Sequence, residues 1–390
     1  METFDPYAAS AEERLDAMSR IRAEGGIVDT PVGRYVATAA GVSAGLRDVE
    51  KFVGSFIDTA DMDPDDVPIS AIPEPEHGRI RRVINSVVAP HRTHQAEPFI
   101  RDLCATLVDD ALREAEHSGS VDLISTVSDP LPSSVIAHML GAPVAMQRDF
   151  QRWSDELLQV QTTAAMNGGS GGHPEFTAFL QSMIDDRRAN DDPPDDVVTR
   201  FINTDIDGAY LSDRMIRTQV QFLIVAGNET TRNLISHCFH RLAVDPDLLD
   251  VLRAEPDTID VFVEEILRLE APVQILARAV LDDTEITGCP MRVGDRVVFG
   301  LAAANRDPAV HIDPDAFRLD RPSPRDHLAF GGGPHICPGA TLARLETRLL
   351  LEALIAAVSA IRLIDDFVPQ PNPVFWANGH TTLPVVIEPA

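Results

Sequence analysis

Apolar side chains recur three and four residues apart through residues 100–111, 131–140, 176–187, 215–242 and 258–269. That spacing places them on one face of an α-helix. The same period predicts helices over 76–88 and 340–355. Strand candidates are short: 32–38, 293–301 and 383–387. Glycine-rich residues 167–172 predict a flexible loop between two helices, and residues 191–196, with two prolines, predict a polar turn. No Ser/Pro linker, repeat or heptad run divides the pattern. The expectation is a mainly α chain with a small β region, one domain over residues 1–390.

Composition narrows this picture. Of 390 residues, 44% are hydrophobic and 24% charged, which suits a globular chain with a large core. The formal net charge of −28 argues against nucleic acid or an anionic membrane as partner. At 5% aromatic, a stacking platform for bases is not expected. Cys104, Cys238, Cys289 and Cys337 are far apart with no CxxC pair, so neither a zinc site nor a disulfide framework is expected. The first 20 residues are acidic, and no stretch approaches the roughly 20 apolar residues of a membrane span. A soluble, cytoplasmic protein is expected.

The chemistry concentrates near one cysteine. Residues 330–344 read Phe330-Gly331-Gly332-Gly333-Pro334-His335-Ile336-Cys337-Pro338-Gly339-Ala340-Thr341-Leu342-Ala343-Arg344. Glycines let a backbone curl around a sulfur and aim N–H groups at it. The helix that starts at once adds positive dipole, which favours thiolate over thiol. The alternative is a buried structural cysteine. The segment resembles the haem-ligand loop of the cytochrome P-450 family, Phe-Gly-x-Gly-x-His-x-Cys-x-Gly followed by Leu-Ala-Arg, at every fixed position. The resemblance extends over nearly the whole chain and is loosest in the first 50 residues. It implies the P-450 fold and heme b, iron protoporphyrin IX, with Cys337 as thiolate ligand in a loop over 330–339. Phe330 and Gly339 belong to that loop, and His335 would hydrogen-bond a propionate. The lack of an N-terminal anchor matches the bacterial type. Pro338 departs from the frequent leucine and removes an N–H beside the sulfur, which would leave the thiolate slightly more electron-rich.

A second segment, Ala226-Gly227-Asn228-Glu229-Thr230-Thr231, interrupts an apolar run. A carboxylate there needs partners or work. By resemblance, a distal helix over about 212–242 crosses the haem face. Gly227 would leave room for dioxygen, and Glu229 and Thr230 would be the acid-alcohol pair that delivers protons. The alternative is a threonine back-bonding to its own helix and a glutamate facing solvent. Asn228 has no assigned role.

Glu265 and Arg268 share a helix face. By resemblance, Arg321 would complete a structural triad with them, although Arg318 replaces the usual aspartate. His77, Arg81 and Arg278 match the family's propionate partners, for which guanidinium suits carboxylate. Asn305-Arg306-Asp307-Pro308 and Leu383-Pro384-Val385 also fit.

The resemblance places the substrate pocket at 58–72, 222–230, 273–276 and 379–382. The candidates are Ile224, Val225, Val273, Ile275 and Leu276, with Gln274 and His380 as polar anchors. Their aliphatic character implies an apolar small-molecule substrate of some bulk. No flavin or nicotinamide fingerprint is present, so a separate ferredoxin and ferredoxin reductase are expected as electron donors. Arg79, Arg81, Arg82, His91, Arg92 and His94, with Arg344 and Arg348, would form a basic docking patch. The expected activity is dioxygen-dependent hydroxylation by a haem-thiolate monooxygenase. Peroxide-driven oxidation, oxidative coupling and non-catalytic haem sensing are the rival readings.

Overall fold

The structure is a computed structural model that describes residues 4–7, 11–57, 59–143, 146–167 and 173–390. Of the loop predicted at 167–172, Asn167 ends α6 and residues 168–172 lie outside the described residues, as does Asp58. The helices are α1 Ala11–Ala23, α2 Ala39–Arg47, α3 Glu76–Val87, α4 Pro90–Ser118, α5 Pro130–Met139, α6 Gln147–Asn167 and α7 Pro174–Ala189. They continue with α8 Val197–Asn203, α9 Asp213–Val244, α10 Asp247–Ala254, α11 Thr258–Leu269, α12 Leu301–Ala304 and α13 Ala340–Ala357. Among the described residues, no helix is long and apolar enough to cross a membrane.

Helix α9 is the central element. Ser212 starts it, its Oγ accepting the Met215 N–H at 3.0 Å. Val220, Ile224, Leu234, Ile235, Phe239 and Leu242 bury it on several faces, together with the polar Gln219, Asn228, Glu229 and Asn233. One core packs its C-terminal half against α4, α10, α11 and α13. A second packs its N-terminal half against α3, α6, α7 and α8. Helix α4 outruns the apolar pattern at 100–111 by a wide margin, because its outer faces are polar.

The strands are β1 Ile27–Thr30, β2 Gly33–Val36, β3 Phe52–Gly54, β4 Val121–Asp122, β5 Ile275–Val280, β6 Thr284–Ile286, β7 Cys289–Met291, β8 Arg296–Gly300, β9 Val358–Leu363 and β10 Pro384–Pro389. One sheet has the order β1-β2-β8-β5-β3, a second β4-β10-β9, and β6-β7 is a hairpin. The three predicted strands correspond to β2, β8 and β10, each trimmed or shifted. Val293 falls in a turn instead, with Gly294 at φ +87°. Strands β1, β3, β4, β6 and β7 are too short for periodicity to reveal, whereas β5 and β9, six residues each, fall outside the predicted strands.

Candidate active site

A cavity of about 580 Å³ lies between α9, α3, β5 and the Cys337 loop. The loop is shaped by its glycines. Gly333 has φ +65°, and a methyl group there would sit 2.5 Å from the Leu46 carbonyl oxygen. The Cys337 N–H donates to the Phe330 carbonyl at 2.9 Å, closing the loop. Burial pushes the Cys337 thiol up. The N–H groups of Gly339 and Ala340, and Arg81 and Arg344, pull it the other way. Desolvation therefore outweighs the helix start, and a bound cation is what would reverse the balance. Arg344 covers the Phe330 ring at 4.5 Å.

Opposite Cys337, α9 contributes Phe222, Leu223, Ile224, Val225, Ala226, Gly227 and Thr230 to the cavity wall. Thr230 Oγ1 donates to the Ala226 carbonyl at 2.7 Å. Glu229 faces neither the cavity nor solvent. It is 4% exposed and accepts from Asn233 Nδ2 at 3.0 Å, Arg232 at 3.3 Å and Asn372 Nδ2. Arg232 also pairs with Asp129, whose carboxyl burial pushes up to about 7. A methyl group at Gly227 would lie 2.8 Å from Ile136 Cδ1, and both residues line the cavity, so this glycine keeps room between α9 and α5 at the cavity wall. Asn228 Nδ2 donates to Ser154 Oγ at 2.8 Å and serves packing between α9 and α6.

His77, Arg81, Arg278, His335, Phe330 and Gly339 all line the same cavity. Arg278 is 6% exposed, and its guanidinium donates to the Ala277 carbonyl. No carboxylate among the described residues pairs with it, and burial lowers its pKa to about 10. His77 Nδ1 lies 2.8 Å from Glu74 Oε1, while its Nε2 is buried without a partner. Burial and the neighbouring His77 push His335 down to about 3. A buried cation, an orphaned imidazole nitrogen and apolar walls fit a flat, apolar group carrying carboxylates. Those are the properties of a haem whose propionates meet Arg278, His77, Arg81 and His335.

Four pocket candidates line the cavity: Ile224, Val225, Val273 and Leu276. Three do not. Strand alternation sends Leu276 and Arg278 to the cavity and Ile275 to the opposite face, against Ala17 and Tyr35. Gln274 turns its amide back to the Ala271 carbonyl at 2.8 Å. His380 lies with His237 and His240, ring centroids 5.0 and 4.7 Å away, in a histidine trio of which His237 and His380 are buried. The C-terminal contribution comes instead from Phe375 and Trp376, and Phe56 and Met62 add to the wall. A pair of bulky aromatics between prolines and glycine was the one sequence signal for that wall.

Glu265 takes both Arg268 and Arg321 at 2.8 Å, and the Arg318 N–H at 2.9 Å. All three triad side chains are therefore together, and Arg318 adds its backbone. Its neighbour Glu264, not singled out by spacing, binds His327 Nε2 at 2.8 Å and Arg344 at 2.6 Å. Desolvation opposes ionisation there, but those two partners hold the carboxyl down at about 2. Glu264 thereby ties α11 to both flanks of the cysteine loop.

The predicted basic patch is largely neutralised. Arg79 and Arg82 pair with Asp207, Arg92 with Asp195, and Arg348 with Glu352. Arg344 is taken by Glu264, and Arg81 donates to Asn85 and the Ile336 carbonyl.

The family model described as cytochrome P450 matches residues 173–360. A steroid C26-monooxygenase of Mycolicibacterium smegmatis is 31% identical over 359 residues, 90% of this chain and 88% of that protein. Cytochrome P450 109 of Bacillus spizizenii is 33% identical over 321 residues, 80% of this chain and 78% of that one. The solved structure of a cytochrome P450 from Chondromyces apiculatus superposes with TM-score 0.87 at 29% identity, covering 99% of this chain and 98% of that one.

Proposed function

Since the chain belongs to the cytochrome P450 family, whose haem-thiolate monooxygenases are among its relatives, we propose that it hydroxylates a bulky, neutral, mostly apolar molecule with dioxygen. The observation that carries this is the buried, carboxylate-free Arg278 in the wall shared by Cys337 and Thr230. In this reading the 390 residues form one domain, the cofactor is heme b and the protein works in the cytoplasm.

The haem, when bound, supplies oxygen activation and insertion. Cys337 would hold it, its sulfur steadied by the N–H groups of Gly339 and Ala340. Arg278, His77, Arg81 and His335 line the cavity and would orient it through its carboxylates. The aliphatic face of α9 and the aromatic pair Phe375 and Trp376 exclude water and seat the substrate. Thr230 lines the cavity with its Oγ1 on the Ala226 carbonyl, and Glu229, the preceding residue, would be the acid that relays protons to it.

Substrate neutrality follows from the lining. Apart from the four groups assigned to the haem, its one charged side chain among the described residues is Asp66, which pairs with Arg214. A free carboxylate on the substrate would find no counter-ion. The Mycolicibacterium relative is named for steroid oxidation, and a steroid-like molecule is the class we assign here. Electrons would come from a ferredoxin and its reductase.

The test is a ferric spin-state titration with a steroid, a terpene and a fatty acid, on protein with a thiolate-type reduced-CO spectrum. A saturable shift with the neutral compounds alone is expected. Binding of the fatty acid alone would overturn the substrate class.

A further inference from the structure

Residues 371–382 touch both the cavity and the carboxylate behind it. Phe375 and Trp376 line the cavity. Asn372, three residues before Phe375, has a side chain with two occupied ends. Its Oδ1 accepts the Val374 N–H at 3.0 Å, and its Nδ2 donates to Glu229. One amide thus joins the turn that leads into the aromatic wall to the proposed proton-delivering acid. The segment is tied down on both sides of the wall. Gln274 N–H donates to the Trp376 carbonyl and Asn378 N–H to the Pro272 carbonyl, both at 2.9 Å. The Asn372 N–H closes the loop on the Gly379 carbonyl at 2.9 Å.

Glu229 is held behind the wall while Thr230 lines it. A carboxylate in that position serves Thr230 only after leaving partners that point it elsewhere. Of its three donors, Asn233 and Arg232 stand on α9 itself, whereas Asn372 belongs to a segment that a substrate touches. A ligand shifts an equilibrium only through contacts that differ between the two states. The Phe375 and Trp376 rings supply such contacts.

We propose that residues 371–382 act as a substrate-responsive strap: substrate seated on Phe375 and Trp376 draws Asn372 off Glu229 and frees the carboxylate to serve Thr230. Asn372 is a positioning residue, and the inference rests on the monooxygenase reading above. With the amide withdrawn, Glu229 keeps only the donors of its own helix, Asn233 and Arg232. Without substrate, the held carboxylate limits wasteful turnover, in which NADH and one proton reduce dioxygen to hydrogen peroxide.

The test uses haem-loaded Asn372→Ser with a bacterial ferredoxin and reductase. Serine keeps an oxygen near the Val374 N–H and withdraws the donor from Glu229. Peroxide release without ligand is expected to rise roughly three- to thirtyfold, and the basic limb of its pH profile to move upward, with the reduced-CO spectrum unchanged. An unchanged leak and pH profile would overturn the proposal. If Asn372→Ser does not retain haem, Phe375→Ala decides from the other end, with testosterone as probe: a ligand-free leak equal to wild type is expected, with the wild-type response of turnover to the probe lost although the probe still shifts the spin state. A wild-type response to the probe overturns it. A wild-type protein with no thiolate-type CO spectrum would instead overturn the monooxygenase reading.

Discussion

His77 of α3 and His335 of the cysteine loop stack face to face, ring centroids 3.8 Å apart and planes 23° from parallel. They are separated by most of the chain, yet they form one edge of the cavity. Glu74 sits behind the pair, its Oε1 2.8 Å from His77 Nδ1, and fixes the orientation of that ring. Glu74→Gln should release haem to apomyoglobin faster, by roughly tenfold, the size expected for loss of one charge-assisted hydrogen bond. An unchanged release rate would show that the stack, not the charge, holds this edge.

Arg278 should show opposite effects with and without cofactor. A buried guanidinium with no carboxylate partner costs the haem-free fold stability. Arg278→Leu should therefore leave the haem-free melting temperature unchanged or higher, while haem release quickens roughly ten- to a hundredfold. Parallel loss in both forms would show that Arg278 is a structural residue.

Pro338 offers no N–H, and the sulfur has those of Gly339 and Ala340. Pro338→Leu adds a donor that favours the more negative ligand. Its reduction potential should rise on the order of tens of millivolts. An unchanged potential in spectroelectrochemical titration would count against any effect of this residue on the iron.

The histidine trio should make the fold acid-labile. Burial and neighbouring cations push both His237 and His380 down to about 3 from 6.5, and their stability contribution is complete above the unfolded value. It declines as pH falls from there toward 3, because only the unfolded chain takes up the protons. His380→Leu should lower the acid-unfolding midpoint, followed by far-UV circular dichroism, by roughly half a pH unit. A midpoint that stays or rises would assign the lability elsewhere.

Asp207 neutralises Arg79 and Arg82. Asp207→Asn should speed reduction by an acidic ferredoxin roughly two- to tenfold at low salt, an advantage that fades as ionic strength rises. Stopped-flow reduction with equal rates at every salt concentration would remove this face as the docking site.

What the sequence determined by itself is what local physics controls. The period of 3.6 located α9 and α11, since helix faces are written in residues three and four apart. Glycines, one cysteine and a helix start located the Cys337 loop, because backbone freedom and dipole act within a few residues. What only the tertiary structure decided depends on partners far away in the chain. Ile275 and Leu276 are equally aliphatic, and strand register alone chose which reaches the cavity. Glu229 looked like a pocket acid until Asn372, 143 residues on, held it behind the wall. The arginines of α3, α4 and α13 looked like a free positive patch until Asp207, Asp195 and Glu352 took them up. Side-chain direction and charge pairing are long-range properties, and no period in the sequence encodes them.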